Sequence, residues 1–260
     1  MSAPREFFLV SAAGNRFALA DGFRAPPPGD PAAVARRLAG RVDGLLLLDP
    51  APGGVRMTLY NADGSRAEAC GNGLRCIAAV AVEEGHCEPP ALMVATDAGT
   101  RRVEVELERG RVARAAAEMG PVELGTPFAF ALEGLALEIH PARVGNPHAV
   151  IFVPDAESAP LGVIGPAVER HPRFPERANV EVVSRAGRGG IAVRVWERGV
   201  GETAACGTGA CAAACVSAAR LGLAPPIDVR MPGGLLRVAW TDLASVTLAG
   251  PVQREGTIEP

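Results

Sequence analysis

Two cysteines in this chain sit in matched settings. Asn61 to Cys76 reads NADGSRAEACGNGLRC, and Glu197 to Cys211 reads ERGVGETAACGTGAC. In each stretch a cysteine, Cys70 or Cys206, is followed by Gly-Xaa-Gly and then by apolar residues at helical spacing. Leu74, Ile77, Ala78, Ala81 and Val82 mark one helix face, and Ala210, Ala213, Ala214, Ser217, Ala218 and Leu221 mark the other. A cysteine at a helix start faces unpaired amide hydrogens and the positive end of the dipole, which stabilise a thiolate or a bound carboxylate. One cysteine beside glycines is by default a buried structural thiol. Two matching copies point to chemistry instead: moving a proton off and onto a carbon acid needs two groups on opposite faces of one carbon, and paired thiols supply them.

Strands must carry these two helix starts. Phe7 to Val10 reads as an opening strand that ends at Ala13-Gly14-Asn15 and resumes at Ala18 to Ala20. The proline-rich loop 24–31 holds off a helix until Ala32 to Ala39. Leu45 to Leu48 and Val55 to Tyr60 are strands leading into the first cysteine loop, whose helix ends near Gly85. Strands follow at Met93 to Thr96, Val103 to Glu108 and Val112 to Met119. In the second of these, alternation places Val103, Val105 and Leu107 on a buried face.

After a break at Gly120-Pro121, strands are expected at Leu135 to His140 and Ala149 to Val153, and a short helix at Ile164 to Glu169. Alternating valines at 180/182 and 193/195 precede the second cysteine block. Ile227 to Arg230 and Leu235 to Trp240 then pair around Pro232-Gly233-Gly234, and Ser245 to Leu248 is the last strand before a polar tail, Gln253 to Pro260. Gly14-Asn15 and Gly145-Asn146 each precede a cysteine block, by 55 and 60 residues from asparagine to cysteine. This internal repeat predicts an α/β (α+β) chain of two pseudo-symmetric lobes facing one cleft: residues 1–118 carrying Cys70 and 119–248 carrying Cys206.

The totals narrow the functional class. With 26 basic against 29 acidic residues the net charge is −3, which gives no field for nucleic acid or an anionic membrane, and 4% aromatic content offers no stacking platform. The opening residues read as a strand rather than a cleavable leader, and no stretch of about 20 residues is apolar enough to span a bilayer, so a soluble cytoplasmic protein is expected. Six cysteines in a chain of 260 residues are not needed as a disulfide scaffold. The Cys70 to Cys76 spacing does not suit zinc, and no structural metal is expected. Every basic residue is Arg; without Lys no internal aldimine with pyridoxal phosphate can form, which favours a cofactor-free route.

Several blocks in order along the chain resemble the diaminopimelate epimerase family. They are Gly14-Asn15, Asn61 to Ser65, Cys70-Gly71-Asn72-Gly73 with Arg75-Cys76, Gly145 to His148, Asn179-Val180-Glu181, Glu197-Arg198-Gly199, and Gly201 to Thr203 with Ala205 to Ala210. The resemblance implies two α/β lobes, each a sheet wrapped around a central helix, with residues 249–260 returning to the first lobe. It implies epimerisation of LL- to meso-diaminopimelate without cofactor or metal, on a small amino acid substrate, by a homodimer. One of Cys70 and Cys206 would remove the α-proton while the other protonates the opposite face. His148 and Glu197 would set their protonation. Asn15, Asn72 and the backbone at Gly71, Gly207 and Thr208 would hold the reacting end, and Asn61, Asn146, Asn179 and Arg198 the distal end.

Two departures stand out. Val42-Asp43-Gly44 lacks the glutamine common in the family after Phe-Asp, and Arg16 stands where an aspartate is usual. Both bear on substrate preference and leave open a racemase or epimerase of another amino acid using the same thiols. A non-catalytic amino acid-binding protein is the remaining alternative.

Overall fold

The structure, a computed structural model, describes residues 6–26, 29–67, 70–132, 134–187 and 189–259. Pro27 and Pro28 of the proline-rich loop lie outside the described residues. The chain divides into two compact units, Met1–Glu118 with Gly250–Pro260, and Met119–Ala249.

Along the first unit run β1 (Phe7–Ala12), β2 (Asn15–Asp21), α1 (Pro31–Leu38), β3 (Gly44–Ala51), β4 (Gly54–Asn61), β5 (Arg66–Ala67), α2 (Gly71–Glu83), β6 (Ala91–Thr96), β7 (Gly99–Glu108) and β8 (Arg111–Gly120). The second unit follows with β9 (Glu123–Leu124), β10 (Phe128–Leu132), β11 (Leu135–Val144), β12 (Asn146–Phe152), α3 (Leu161–Glu169), β13 (Asn179–Ala186), β14 (Gly190–Glu197), β15 (Gly201–Thr203), α4 (Gly207–Leu221), β16 (Ile227–Met231), β17 (Gly234–Ala239) and β18 (Val246–Pro251). The polar tail forms β19 (Gln253–Ile258), which pairs antiparallel with β1.

Strand order makes the repeat explicit. In the first unit the ladder runs β19, β1, β2, β3, β4, β6, β7, β8, with β2–β3 and β4–β6 parallel and the other neighbours antiparallel. In the second it runs β10, β11, β12, β13, β14, β16, β17, β18, with β12–β13 and β14–β16 parallel and the rest antiparallel. The place that β10 fills in the second unit is filled in the first by the C-terminal strand β19. The sequence pattern predicts no strand at Phe128 to Leu132 or in the polar tail; both are edge strands, each hydrogen-bonded to one neighbour in its ladder.

Each sheet curls around one helix. Residues 71–81 of α2 are buried on every side, as are 209–217 of α4, so these helices are enclosed all round, with Asn72, Arg75 and Ser217 as their buried polar side chains. Alanines at 210, 212, 213 and 214 favour helix and let the strands approach closely, and Gly222 ends α4 in the left-handed conformation at φ 68°. On the outer face of each sheet lies a shorter helix. Val34, Ala35 and Leu38 of α1 pack on Phe7, Leu9, Leu45 and Leu47, and Leu161, Ile164 and Val168 of α3 pack on Ile139, Ile151, Val180 and Val182. Leu107, expected inside, is exposed because a bulge between Glu106 and Leu107 shifts the β7–β8 register. Among the described residues no helix is long and apolar enough to cross a membrane.

Candidate active site

Cys70 and Cys206 occupy equivalent positions. Each is the N-cap of the central helix of its unit, in extended backbone at φ −150°, ψ 118° and φ −131°, ψ 119°. The Cys70 thiol accepts the Gly73 N–H at 3.4 Å and is part-exposed. Cys206 is buried, and its Sγ lies 3.4 Å from the Thr208 hydroxyl.

In the first unit two asparagine amides form a chain between a guanidinium and a carboxylate, starting one residue into the helix that Cys70 caps. Arg75, fully buried, donates Nη2 to Asn72 Oδ1 and Nη1 to the Pro251 carbonyl at 3.3 Å. A guanidinium can only donate, so the Asn72 atom facing it is the carbonyl oxygen. That turns Asn72 Nδ2 toward Asn15 Oδ1, at 2.6 Å. Asn15 Nδ2 is then left facing the Asp43 carboxylate at 3.4 Å, which also accepts the Arg16 N–H at 2.8 Å. A donor-only group at one end and an acceptor-only group at the other thus orient both asparagines. Asn61, at the end of β4, donates its amide to Ser65 Oγ at 3.0 Å inside its own turn. The Arg16 side chain pairs with Glu255 on β19 at 2.7 Å.

In the second unit the surroundings of Cys206 are ionisable. His148 Nδ1 lies 2.7 Å from Glu181 Oε1, both side chains fully buried, and His148 Nε2 lies 3.0 Å from Asn146 Oδ1. Glu197, closing β14, accepts the Thr203 hydroxyl at 2.6 Å. Burial pushes the Glu197 carboxyl above its ordinary value, while hydrogen bonds from Thr203 and from the Cys206 thiol oppose the shift. The Cys206 thiol is pushed well above 9.0, chiefly by burial and then by Glu197 and Glu181; the Thr208 hydroxyl and the Gly209 amide only partly counter this. Cys206 is therefore held as a thiol.

Asn179 sits at the start of β13, where its Oδ1 accepts the Arg198 N–H at 2.8 Å, and Arg198 Nη1 donates to the Glu176 carbonyl at 2.7 Å. These two expected distal-end residues therefore form one unit before any substrate is considered. Gly71, Gly207 and Thr208 open α2 and α4 beside the cysteines.

Four residues beside these were given no role from sequence. Glu181 lies in an apolar strand run and Arg75 in an apolar helix, while Asp43 sits exposed in the bend before β3 and Thr203 in the three-residue strand β15 opposite Val195. For Glu181 and Arg75 the available signal is a charge inside an apolar run: in a strand or helix buried on all sides, such a residue must be paired. Asp43, exposed, and Thr203, uncharged, carry no such signal. Among the described residues no three His, Cys, Asp or Glu side chains gather as a metal site.

Comparison with known proteins agrees with the repeat. The model of the family described as diaminopimelate epimerase matches twice, over residues 12–125 and 142–255. A diaminopimelate epimerase of Desulforudis audaxviator is 40% identical over 272 residues, covering 98% of this chain and 96% of that protein. One from Moorella thermoacetica is 38% identical, covering 94% and 95%. Among solved structures, a hydroxyproline epimerase from Agrobacterium vitis superposes with a TM-score of 0.74 at 18% identity, over 98% of this chain and 90% of that one. A phenazine biosynthesis protein from Bacillus anthracis gives 0.74 at 15% identity, over 98% of both. These distant structures share the fold.

Proposed function

Because the chain belongs to the diaminopimelate epimerase family, we propose that it interconverts LL- and meso-diaminopimelate by two-base proton transfer at one α-carbon, with Cys70 and Cys206 as the bases. The observation that carries this reading is the duplicated helix start: each family-matched half begins its buried helix with a cysteine at the N-cap, in the same extended backbone.

In one direction Cys70, as thiolate, takes the proton as the Cα–H bond breaks. The carbanion then takes the proton of the Cys206 S–H bond on the opposite face, and the negative charge ends on Cys206. In the reverse direction the roles exchange. Helix-start amides at Gly71, Gly207 and Thr208, with Asn15 and Asn72, hold the reacting end, where charge develops on the α-carboxylate. Glu197 and the Cys206 thiol influence one another's protonation, and His148, tied to Glu181, completes the set that governs the Cys206 proton. Arg198, with Asn61, Asn146 and Asn179, takes the distal end, the guanidinium being suited to a carboxylate.

The same reading takes the enzyme as a cytoplasmic homodimer that needs no pyridoxal phosphate. Family membership supports the dimer, and sedimentation equilibrium tests it; the absence of Lys supports the cofactor-free route. Proton NMR in heavy water, with LL-diaminopimelate and reductant, tests the reaction. Loss of the Cα–H signal together with growth of the meso isomer is expected. Neither appearing, or exchange with another amino acid only, removes this substrate.

A further inference from the structure

Glu169 is a buried acid that the reaction does not use. It is 3% exposed and closes α3, where a carboxylate opposes the negative end of the helix dipole. Its position is made tenable by donors. Oε2 accepts the Trp196 indole N–H at 2.8 Å, and Oε1 accepts the Gly199 N–H at 3.0 Å and Arg177 Nη1 at 3.3 Å. Its own carbonyl accepts the Ala178 N–H at 3.2 Å.

These contacts bracket one dipeptide. Trp196 precedes Glu197-Arg198 and Gly199 follows it, while Ala178 precedes Asn179, whose side chain holds the Arg198 N–H. Room for the indole is built in: a Cβ on Gly165, one turn back along α3, would lie 2.5 Å from Trp196 Cγ. Arg177 adopts φ 58°, a left-handed conformation unusual for its type, directly before the entry to β13.

The two residues inside the bracket differ in how they are held. Glu197 belongs to the β14–β15 ladder, opposite Gly201, and its carboxylate is tied to Thr203. Arg198 and Gly199 lie beyond that ladder. Their backbone donors go to Asn179 and Glu169.

We propose that Glu169 is a positioning residue that sets where Arg198 presents its guanidinium, and so tunes recognition of the substrate's distal carboxylate. This rests on the reading of Arg198 as the distal-carboxylate group. Glu169→Gln keeps the side-chain volume but cannot accept at both oxygens. It is expected to raise KM for LL-diaminopimelate about tenfold with kcat within about threefold, the size of effect for one lost hydrogen bond to a charged group. Trp196→Phe removes the indole donor, together with part of the ring that packs beside Gly165 and Gly201, and is expected to raise KM about threefold.

A residue that merely supports the fold would lower the active fraction, and with it kcat, leaving KM unmoved. Wild-type KM in both variants, or a fall in kcat with KM unchanged, overturns the proposal; should Glu169→Gln give no soluble protein, Trp196→Phe decides alone. A wild-type enzyme that turns over LL-diaminopimelate while both variants keep its KM removes Glu169's role and spares the proposed function. A wild-type protein showing neither turnover nor saturable binding of LL-diaminopimelate removes both.

Discussion

His148 Nδ1 lies 2.7 Å from Glu181 Oε1, and neither side chain reaches solvent. Strand register shows what this pair replaces. Phe17 pairs with Gly44 and Leu19 with Leu46 across β2–β3, as His148 pairs with Asn179 and Val150 with Glu181 across β12–β13. Glu181 thus stands where the first unit has Leu46, and His148 where it has Phe17. The helix glycines follow the same exchange: a Cβ on Gly73 would meet Leu46 Cδ2 at 3.1 Å, and a Cβ on Gly209 would meet Glu181 Oε1 at 2.6 Å. Gly209 makes room for a carboxylate.

Glu181→Gln should therefore lower kcat by roughly tenfold or more, since the group orienting the His148 ring loses its charge. Gly209→Ala should cost a similar factor by displacing that carboxylate. The two should be strongly non-additive, because they disturb one contact. Gly73→Ala pushes on the flexible Leu46 and Met57 side chains at 3.1 and 3.2 Å and meets Cys70 Cβ at 3.4 Å, an ordinary contact, so it should change kcat by less than about threefold, at a stability cost of order 1 kcal/mol. Steady-state rates of the three single variants and the 181/209 double mutant check this; additive losses for 181 and 209 would separate their roles.

The Glu197 carboxyl is raised by burial, so the native state holds its proton more tightly than the unfolded chain does. Stability from this group is complete below its unfolded value, near 4.5, and is lost as pH rises through the raised native value. Glu197→Gln removes that loss. The Tm difference, variant minus wild type, should grow between about pH 4 and about pH 7.5 while kcat falls. Calorimetry at the two pH values tests the sign, and a difference that shrinks with pH would contradict the burial argument.

Thiol chemistry offers an independent reading of the same cluster. Cys206 is pushed well above 9.0, and Cys76 up to about 12, so neither presents a thiolate at neutral pH. Iodoacetamide should label both much more slowly than a free cysteine. Glu197→Gln, which removes one of the charges raising the Cys206 value, should speed labelling at Cys206 and leave Cys76 unchanged. Peptide mapping over time distinguishes the sites, and equal acceleration at both would indicate general loosening instead.

Asn72 is oriented by Arg75, and this makes its amide nitrogen the group that reaches Asn15. Asn72→Asp keeps the shape and can still accept from Arg75. It then sets an oxygen against Asn15 Oδ1 and places a negative charge beside the N-terminus of α2, where the reacting carboxylate is held. kcat/KM should fall by roughly a hundredfold or more, equivalent to about 2.7 kcal/mol. Tm should stay close to the wild-type value, because the buried guanidinium gains a charged partner. A variant with wild-type kcat/KM would remove Asn72 from the site.

Much of this was legible because the chain states it twice. The Cys-Gly-Xaa-Gly starts and the glycine-asparagine pairs are local signals, and each falls at an element boundary, where backbone geometry restricts residue type. Glu181, Arg75 and Asp43 were not assigned because their meaning is relational. A charge in a run such as Asn179-Val180-Glu181-Val182-Val183 reads as the wet side of an alternating strand, but β13 is buried on both faces from Asn179 to Ser184. Only the pairing with His148 makes that charge tenable. Gln253 to Ile258 reads by itself as a polar tail, and only the family resemblance returns it to the first lobe, because its strand character comes from β1, more than 240 residues earlier.

Gly44 and Arg16 depart from the family pattern, and local packing suggests what each does. A Cβ on Gly44 would lie 2.7 Å from the Tyr60 carbonyl oxygen and 3.1 Å from Leu59 Cδ1, where β3 and β4 pair Gly44 with Asn61. A side chain there must push the ladder apart. Gly44→Gln should lower stability by about 1–3 kcal/mol and fail to raise kcat/KM, because the ladder moves before the amide can reach substrate. Arg16, half-exposed, is paired with Glu255. Its removal should cost at most about 1 kcal/mol and leave KM for LL-diaminopimelate within about twofold. Urea midpoints and steady-state kinetics on both variants check the two claims together. A Gly44→Gln enzyme as stable as wild type with a lower KM would mean that β3 accommodates the glutamine and that this chain has lost a substrate contact its relatives keep.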